Sequence, residues 1–161
     1  WLPEILKAYP AIITVHARTR KEMSKAPARW EFVKRAVEIR DEAGKQTLIL
    51  GNGDVKNLKE ARMRVKETGC DGVMLGRAIF GNPWLFAAGD SPTTEERLRV
   101  LVEHTKLFEK LLGGYKNFAI MKKHFKAYLS GMNVIGDLRL KLMETNNADE
   151  VEKIVSDILL S

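Results

Sequence analysis

This chain of 161 residues is poor in the ligands that small proteins use as staples. It has one cysteine, which excludes an internal disulfide framework. With only three histidines beside it, a structural zinc site lacks soft ligands. No run approaches the roughly 18 consecutive apolar residues of a membrane span, and no basic segment followed by an apolar core marks a secretory signal. There is no internal repeat and no low-complexity segment. What is present is ordinary for a packed protein: 45% hydrophobic residues, too many for a disordered chain. Twenty-seven lysines and arginines against 21 acids give a net charge of +6. A soluble, cytoplasmic protein without metal is expected. The chain opens Trp1-Leu2-Pro3 rather than with methionine, so a piece of a longer protein is expected.

Turn formers cluster at Gly89-Asp90-Ser91-Pro92 and divide the chain into segments 1–90 and 91–161. The first carries 16 of the basic residues and 11 of the acids. Its pattern alternates. Ala11–Val15, Thr47–Leu50 and Gly72–Leu75 read as short apolar strands. Residues 30–43 and Asn57–Thr68 read as helices, with Trp30, Val33, Ala36 and Val37 on one face of the first and Asn57 capping the second. Gly44 and Gly69 stop them. Apolar strands separated by helices indicate a parallel sheet covered by helices. The second segment reads as helical throughout: 95–112 after a threonine cap, 115–130 up to Gly131, Asp137–Glu144 and Ala148–Leu160.

Each strand ends in a polar signature: His16-Ala17-Arg18-Thr19-Arg20, Gly51-Asn52-Gly53-Asp54 and Gly76-Arg77-Ala78. All three lie at C-terminal strand ends, the edge where α/β sheets and barrels bind ligands. Gly76-Arg77 offers backbone N–H groups and a fixed positive charge, which suit a phosphate. Gly51 and Gly53 can take positive φ and allow close approach. Taken singly, Gly-Asn-Gly-Asp is as readily a plain turn and His16 a core histidine. Three such clusters at one edge point to a site. Cys70 precedes its strand, so it reads as a small buried hydrophobe rather than a nucleophile, and Asp71 reads as part of the turn. His104, mid-helix, reads as structural. Lys106, Lys110, Lys116, Lys122, Lys123 and Lys126 face only Glu109, a sign that suits a polyanion as well as a solvated surface.

The segments Ile13–Arg20, Leu50–Asp54 and Gly69–Phe86 resemble those of the tRNA-dihydrouridine synthases. The most specific is Gly76-Arg77 followed by Gly81-Asn82-Pro83-Trp84-Leu85-Phe86. Lys122–Tyr128 resembles the basic helix of that family's C-terminal domain, and Leu138-Arg139 the arginine that follows it. The resemblance implies the C-terminal portion of a (β/α)8 TIM barrel, strands six to eight, over residues 1–90. It implies a small all-helical, tRNA-binding domain over 91–161. It implies FMN as cofactor, NADPH as reductant, and reduction of uridine in tRNA to 5,6-dihydrouridine by a monomer. His16, Asn52, Gly53, Asp54, Gly76 and Arg77 would bind FMN, the last two its phosphate. Arg18 would lie near the uracil, and Lys122, Lys123, His124 and Lys126 would meet RNA. The catalytic cysteine would lie upstream, so no catalytic residue is expected here and the chain alone is expected to be inactive. One departure stands out: Met23–Trp30 keeps the tryptophan but lacks the family's Tyr-x-Gly element. Two other readings stay open: another FMN-dependent barrel oxidoreductase, and a non-catalytic RNA-binding remnant.

Overall fold

The computed structural model describes residues 1–23, 25–87, 91–132 and 136–160. The chain forms two compact units, Trp1–Ala78 and Ile79–Ser161. The turn-rich segment expected to divide them lies largely outside the described residues, and the division comes earlier. The reason is local to the second unit. Gly81, at φ +70°, brings its backbone against α5 (Met121–Tyr128): a Cβ there would stand 2.4 Å from the Ala127 carbonyl. Residues 79–87 therefore begin the helical unit instead of ending the first.

The first unit holds three parallel strands in the order β1 (Ile12–His16), β2 (Leu48–Asn52), β3 (Gly72–Met74). Ile12 pairs with Leu48, His16 with Asn52, and Asn52 with Met74. The unit also contains α1 (Leu2–Leu6), α2 (Glu31–Glu42) and α3 (Leu58–Thr68). Asn57 caps α3 by accepting the Glu60 N–H at 2.9 Å, and Gly69 ends it at φ +72°. The buried core joins Leu2, Leu6, Trp30, Val33, Val37 and Ile49, with Ile13, Val15 and Val73 packed against it. These strand residues all lie on one face. On the other, Ile12, Leu48 and Met74 are each at least two-fifths exposed. The expected cover of helices is thus present on one face of the sheet only, among the described residues.

The second unit holds α4 (Thr94–Leu112), α5, α6 (Gly136–Glu144) and α7 (Ala148–Leu160). Thr93 and Glu96 form a reciprocal capping box at the start of α4. The expected single helix over 115–130 is broken. Asn117 accepts the Ala119 N–H and starts a short 3₁₀ turn, Phe118–Ile120, before α5 begins. Leu98, Leu101, Phe108, Met121, Phe125, Leu142 and Val151 build the core between the helices. No helix among the described residues is long and apolar enough to cross a membrane.

Candidate functional site

The three strand-end signatures of the first unit meet. His16, Arg18, Asn52, Gly53, Asp54, Gly76 and Arg77 line one cleft of about 200 Å³. Its frame is built from backbone and carboxylate bonds. β2 runs two residues further than the apolar pattern indicates, so Asn52 stands in the strand and its Nδ2 donates to the Met74 carbonyl at 2.7 Å. This ties the end of β3 to β2. Gly53 then turns at φ +134° and Asp54 at +57°. The Gly53 carbonyl accepts the buried Trp30 indole N–H at 3.1 Å.

Asp54 organises the charge. Its carboxylate accepts the Arg18 guanidinium, the Ala28 N–H at 2.9 Å and the Arg77 guanidinium at 2.9 Å. The Arg18 hydrogen bond, with the Ala28 N–H and the charge of Arg77, holds the Asp54 carboxyl below the usual carboxylate range. The two arginines differ. The Arg18 side chain is only 5% exposed and also donates to the Ala26 carbonyl, so its charge is spent inside the unit. The Arg77 side chain is 66% exposed and keeps free donors toward the cleft. Above Gly76 a Cβ would meet nothing within 4 Å.

Gly51 departs from expectation. It does not supply a positive φ but sits in β2, where a Cβ would lie 2.2 Å from the Trp30 ring. Its smallness lets the tryptophan pass under the cleft floor. Cys70 behaves as read: it is buried, and its thiol donates to the Gly72 carbonyl at 3.2 Å, before β3 and away from the cleft. Asp71 does more than turn the chain, because its carboxylate accepts the Ile49 N–H and Arg40.

In the helical unit, Lys122, Lys123, His124 and Lys126 all stand on α5. Lys106 is paired with Glu152 at 2.6 Å, whereas Lys122, Lys123 and Lys126 have no carboxylate within ion-pair reach among the described residues. His124 lines a second cavity of about 410 Å³, shared with Phe80, Glu103, His104 and Tyr128. The His104 and His124 rings meet edge to face at 4.9 Å, and the Tyr128 hydroxyl lies 3.3 Å from Nδ1 of His104. Burial lowers the pKa of both histidines, helped by each one's cationic neighbours: His124 beside His104, and Lys123 beside His124.

A family model described as dihydrouridine synthase (Dus) matches residues 9–161. The chain belongs to the dihydrouridine synthase family. It is 35% identical over 159 residues to a probable tRNA-dihydrouridine synthase of Staphylococcus aureus (strain N315), covering 98% of this chain and 48% of that protein. It is 34% identical over 157 residues to the probable tRNA-dihydrouridine synthase of Staphylococcus epidermidis, covering 96% and 48%. It is 33% identical over 162 residues to probable tRNA-dihydrouridine synthase 2 of Bacillus subtilis (strain 168), covering 98% and 49%. The chain therefore spans about half the length of the curated relatives it matches.

Within this family member, His16, Arg18, Asn52, Gly53, Asp54, Gly76 and Arg77 of the strand-end signatures reach the cleft, whereas Ala17, Thr19, Arg20, Gly51 and Ala78 do not line it. The structure adds what the residue types alone did not give: Asp54 as the hub of two arginines, Trp30 as the support of Gly53, and Ala28 as a backbone donor. It also moves His104 from the plain core into the wall of a cavity. No group of three or more His, Cys, Asp or Glu side chains that could hold a metal ion occurs among the described residues.

Proposed function

We propose that this chain is the C-terminal part of a tRNA-dihydrouridine synthase that reduces uridine in tRNA to 5,6-dihydrouridine. The first unit would be the last three strands of a (β/α)8 barrel that holds FMN, and the helical unit would hold tRNA. The observation that carries the reading is the cleft, in which Gly76, Arg77, Asn52 and Asp54 converge beside His16 at the C-terminal ends of parallel strands. The barrel is supported by the uncovered apolar face of Ile12, Leu48 and Met74, which suits a barrel interior.

The residues fit a phosphate-bearing cofactor. Gly76 leaves open space, and the backbone enters a 3₁₀ turn at Arg77, whose guanidinium is exposed. A bound phosphate would take the free donors of Arg77 while Asp54 fixes the guanidinium from behind. Arg18 acts as a positioning residue, since its bonds hold Asp54 and the 26–28 loop. His16 and the frame of Asn52 present hydrogen-bonding groups to the rest of the cofactor. FMN, when bound, supplies the hydride chemistry, with NADPH as the source of reducing equivalents. Lys122, Lys123 and Lys126 hold the tRNA backbone. The proton that completes reduction at C5 of the base does not come from Cys70, which is buried before β3. The 161-residue chain alone is proposed to be inactive.

The test is direct. Full-length protein should carry a flavin absorbance spectrum after purification and should form dihydrouridine on unmodified tRNA with NADPH. A protein that takes up no flavin when offered FMN would overturn the cofactor reading. A flavoprotein that leaves tRNA unreduced would overturn the substrate.

A further inference from the structure

Four rings line the cavity of the helical unit, together with Ile79, Pro83, Val100 and Leu107. Phe80, His124, His104 and Tyr128 form a continuous edge-to-face series, with centroids 5.4, 4.9 and 5.9 Å apart in turn. Such contacts fix each ring against the next. Phe80, at one end, is 57% exposed. A phenyl ring left open at the mouth of an aromatic pocket is a platform with one face unused. It is held there by construction. Gly81 lets the 79–83 backbone lie directly on α5, where any Cβ would strike the Ala127 carbonyl. Phe80 is thereby pinned beside His124.

The polar groups of the cavity match a flat heterocycle. Exposed Glu103, on the rim, is a carboxylate acceptor for amino or imino N–H groups. The Tyr128 hydroxyl and the His104 ring form a hydrogen-bonded pair at the inner end. Glu103 is the only carboxylate in the lining among the described residues, and the charges beside His124 on α5 are basic. Lys122 and Lys123 precede His124 on α5 and Lys126 follows it, none of them neutralised by a carboxylate among the described residues. A pocket with four rings in its lining, on a helix that also carries three free ammonium groups, suits a heterocycle attached to phosphates.

We propose that this cavity binds one unpaired nucleobase of RNA, stacked on Phe80 and walled by His124, while Lys122, Lys123 and Lys126 hold the neighbouring phosphates. The pocket rests on the reading of the helical unit as the RNA-holding part, and it adds a base-selective contact to a phosphate-binding surface. Phosphate contacts alone position an RNA; a stacked base fixes which nucleotide lies where.

The experiment measures binding of unmodified tRNA to the full-length protein over a series of salt concentrations. Phe80→Ala and His124→Ala should each weaken binding by roughly 5- to 150-fold, the range seen when a stacking platform is removed. The salt slope should not change, because no phosphate partner is lost. Phe80→Trp and His124→Phe keep a stacking face and should retain affinity. Phe80 lies outside the buried core, so its replacement leaves the packing of the unit intact. A second probe isolates the base: a single-stranded oligouridylate compared with the same oligomer carrying abasic sites. The unsubstituted protein should prefer the base-bearing oligomer, and Phe80→Ala should abolish that preference. Lys122, Lys123 and Lys126 replaced together by glutamine serve as the comparison. If the ring variants bind as the parent does while the lysine variant flattens the salt slope, the base pocket is wrong and the RNA surface stands. If neither set changes tRNA binding, both readings fall.

Discussion

Two cavities in this molecule are built on opposite plans. In the α/β unit the cleft is held by polar bonds: Asp54 clasps two arginines and a backbone amide, and Asn52 and Trp30 tie down the neighbouring carbonyls. In the helical unit the pocket is held by packing, with four rings in contact and a single hydrogen bond between two of them. The difference shows how each keeps affinity in reserve. The first spends most of its charge internally and leaves one guanidinium facing out. The second spends little and leaves a ring face and three ammonium groups open.

The sharpest way to break the comparison is to destroy one site through its scaffold. Gly51→Ala sets a methyl against the Trp30 ring under the cleft floor. It should cost about 3 kcal/mol of stability, the upper end of ordinary overpacking, measurable by denaturant unfolding. Cofactor retention should fall with it. Next comes the outward guanidinium. Arg77→Ala in the full-length protein should weaken FMN binding by about 1.5–3 kcal/mol, read by fluorescence titration, and leave tRNA affinity as it was. Then the open charges of the other site: replacing Lys122, Lys123 and Lys126 with glutamine should flatten the logarithmic salt dependence of tRNA binding by up to about 2–3 units, with flavin content unchanged.

The smallest effect separates the units by pH. Asp54 has a lowered folded pKa, so its contribution to stability is present above about pH 4 and is lost as pH falls from there through the folded value. His104 and His124 are also lowered, by burial. The unfolded chain therefore takes up their protons first, and the helical unit loses stability as pH falls below about 6.5. Hydrogen exchange followed in each unit should show the helical unit loosening first on acidification. His104→Gln should flatten that response near pH 6, and Asp54→Asn the later one near pH 4. Simultaneous loosening of both units would remove the distinction.

The parts of the fold that depend on neighbours in sequence were legible before the structure. Asn57 and Thr93 cap where their residue types and spacing place them, and Gly69 ends its helix in the left-handed region. The cleft was legible too, because parallel strands carry their C-terminal ends to one edge whatever the loops do. Contacts distant in sequence were not. Arg18 and Asp54 are 36 residues apart, and nothing in either signature marks them as partners. The seat of Gly81 on Ala127 moves the start of the helical unit ahead of the turn-rich segment. The bare face of the sheet follows only from the resemblance to a barrel, since the strands look equally apolar on both sides. His104 fits a helical pattern as well as any core residue, and only the ring of His124, twenty positions away, marks it as part of a wall.

Trp30 and Gly51 carry a further consequence, for descent. The ring and the missing side chain fill one volume between them, and the same indole reaches on to the Gly53 carbonyl. Neither position is free to drift while the other stays. A larger residue at 51 becomes acceptable only after the ring at 30 has shrunk, and a smaller ring takes the indole N–H from the Gly53 carbonyl and leaves a void until 51 grows. Two such steps pass through a disfavoured intermediate in either order.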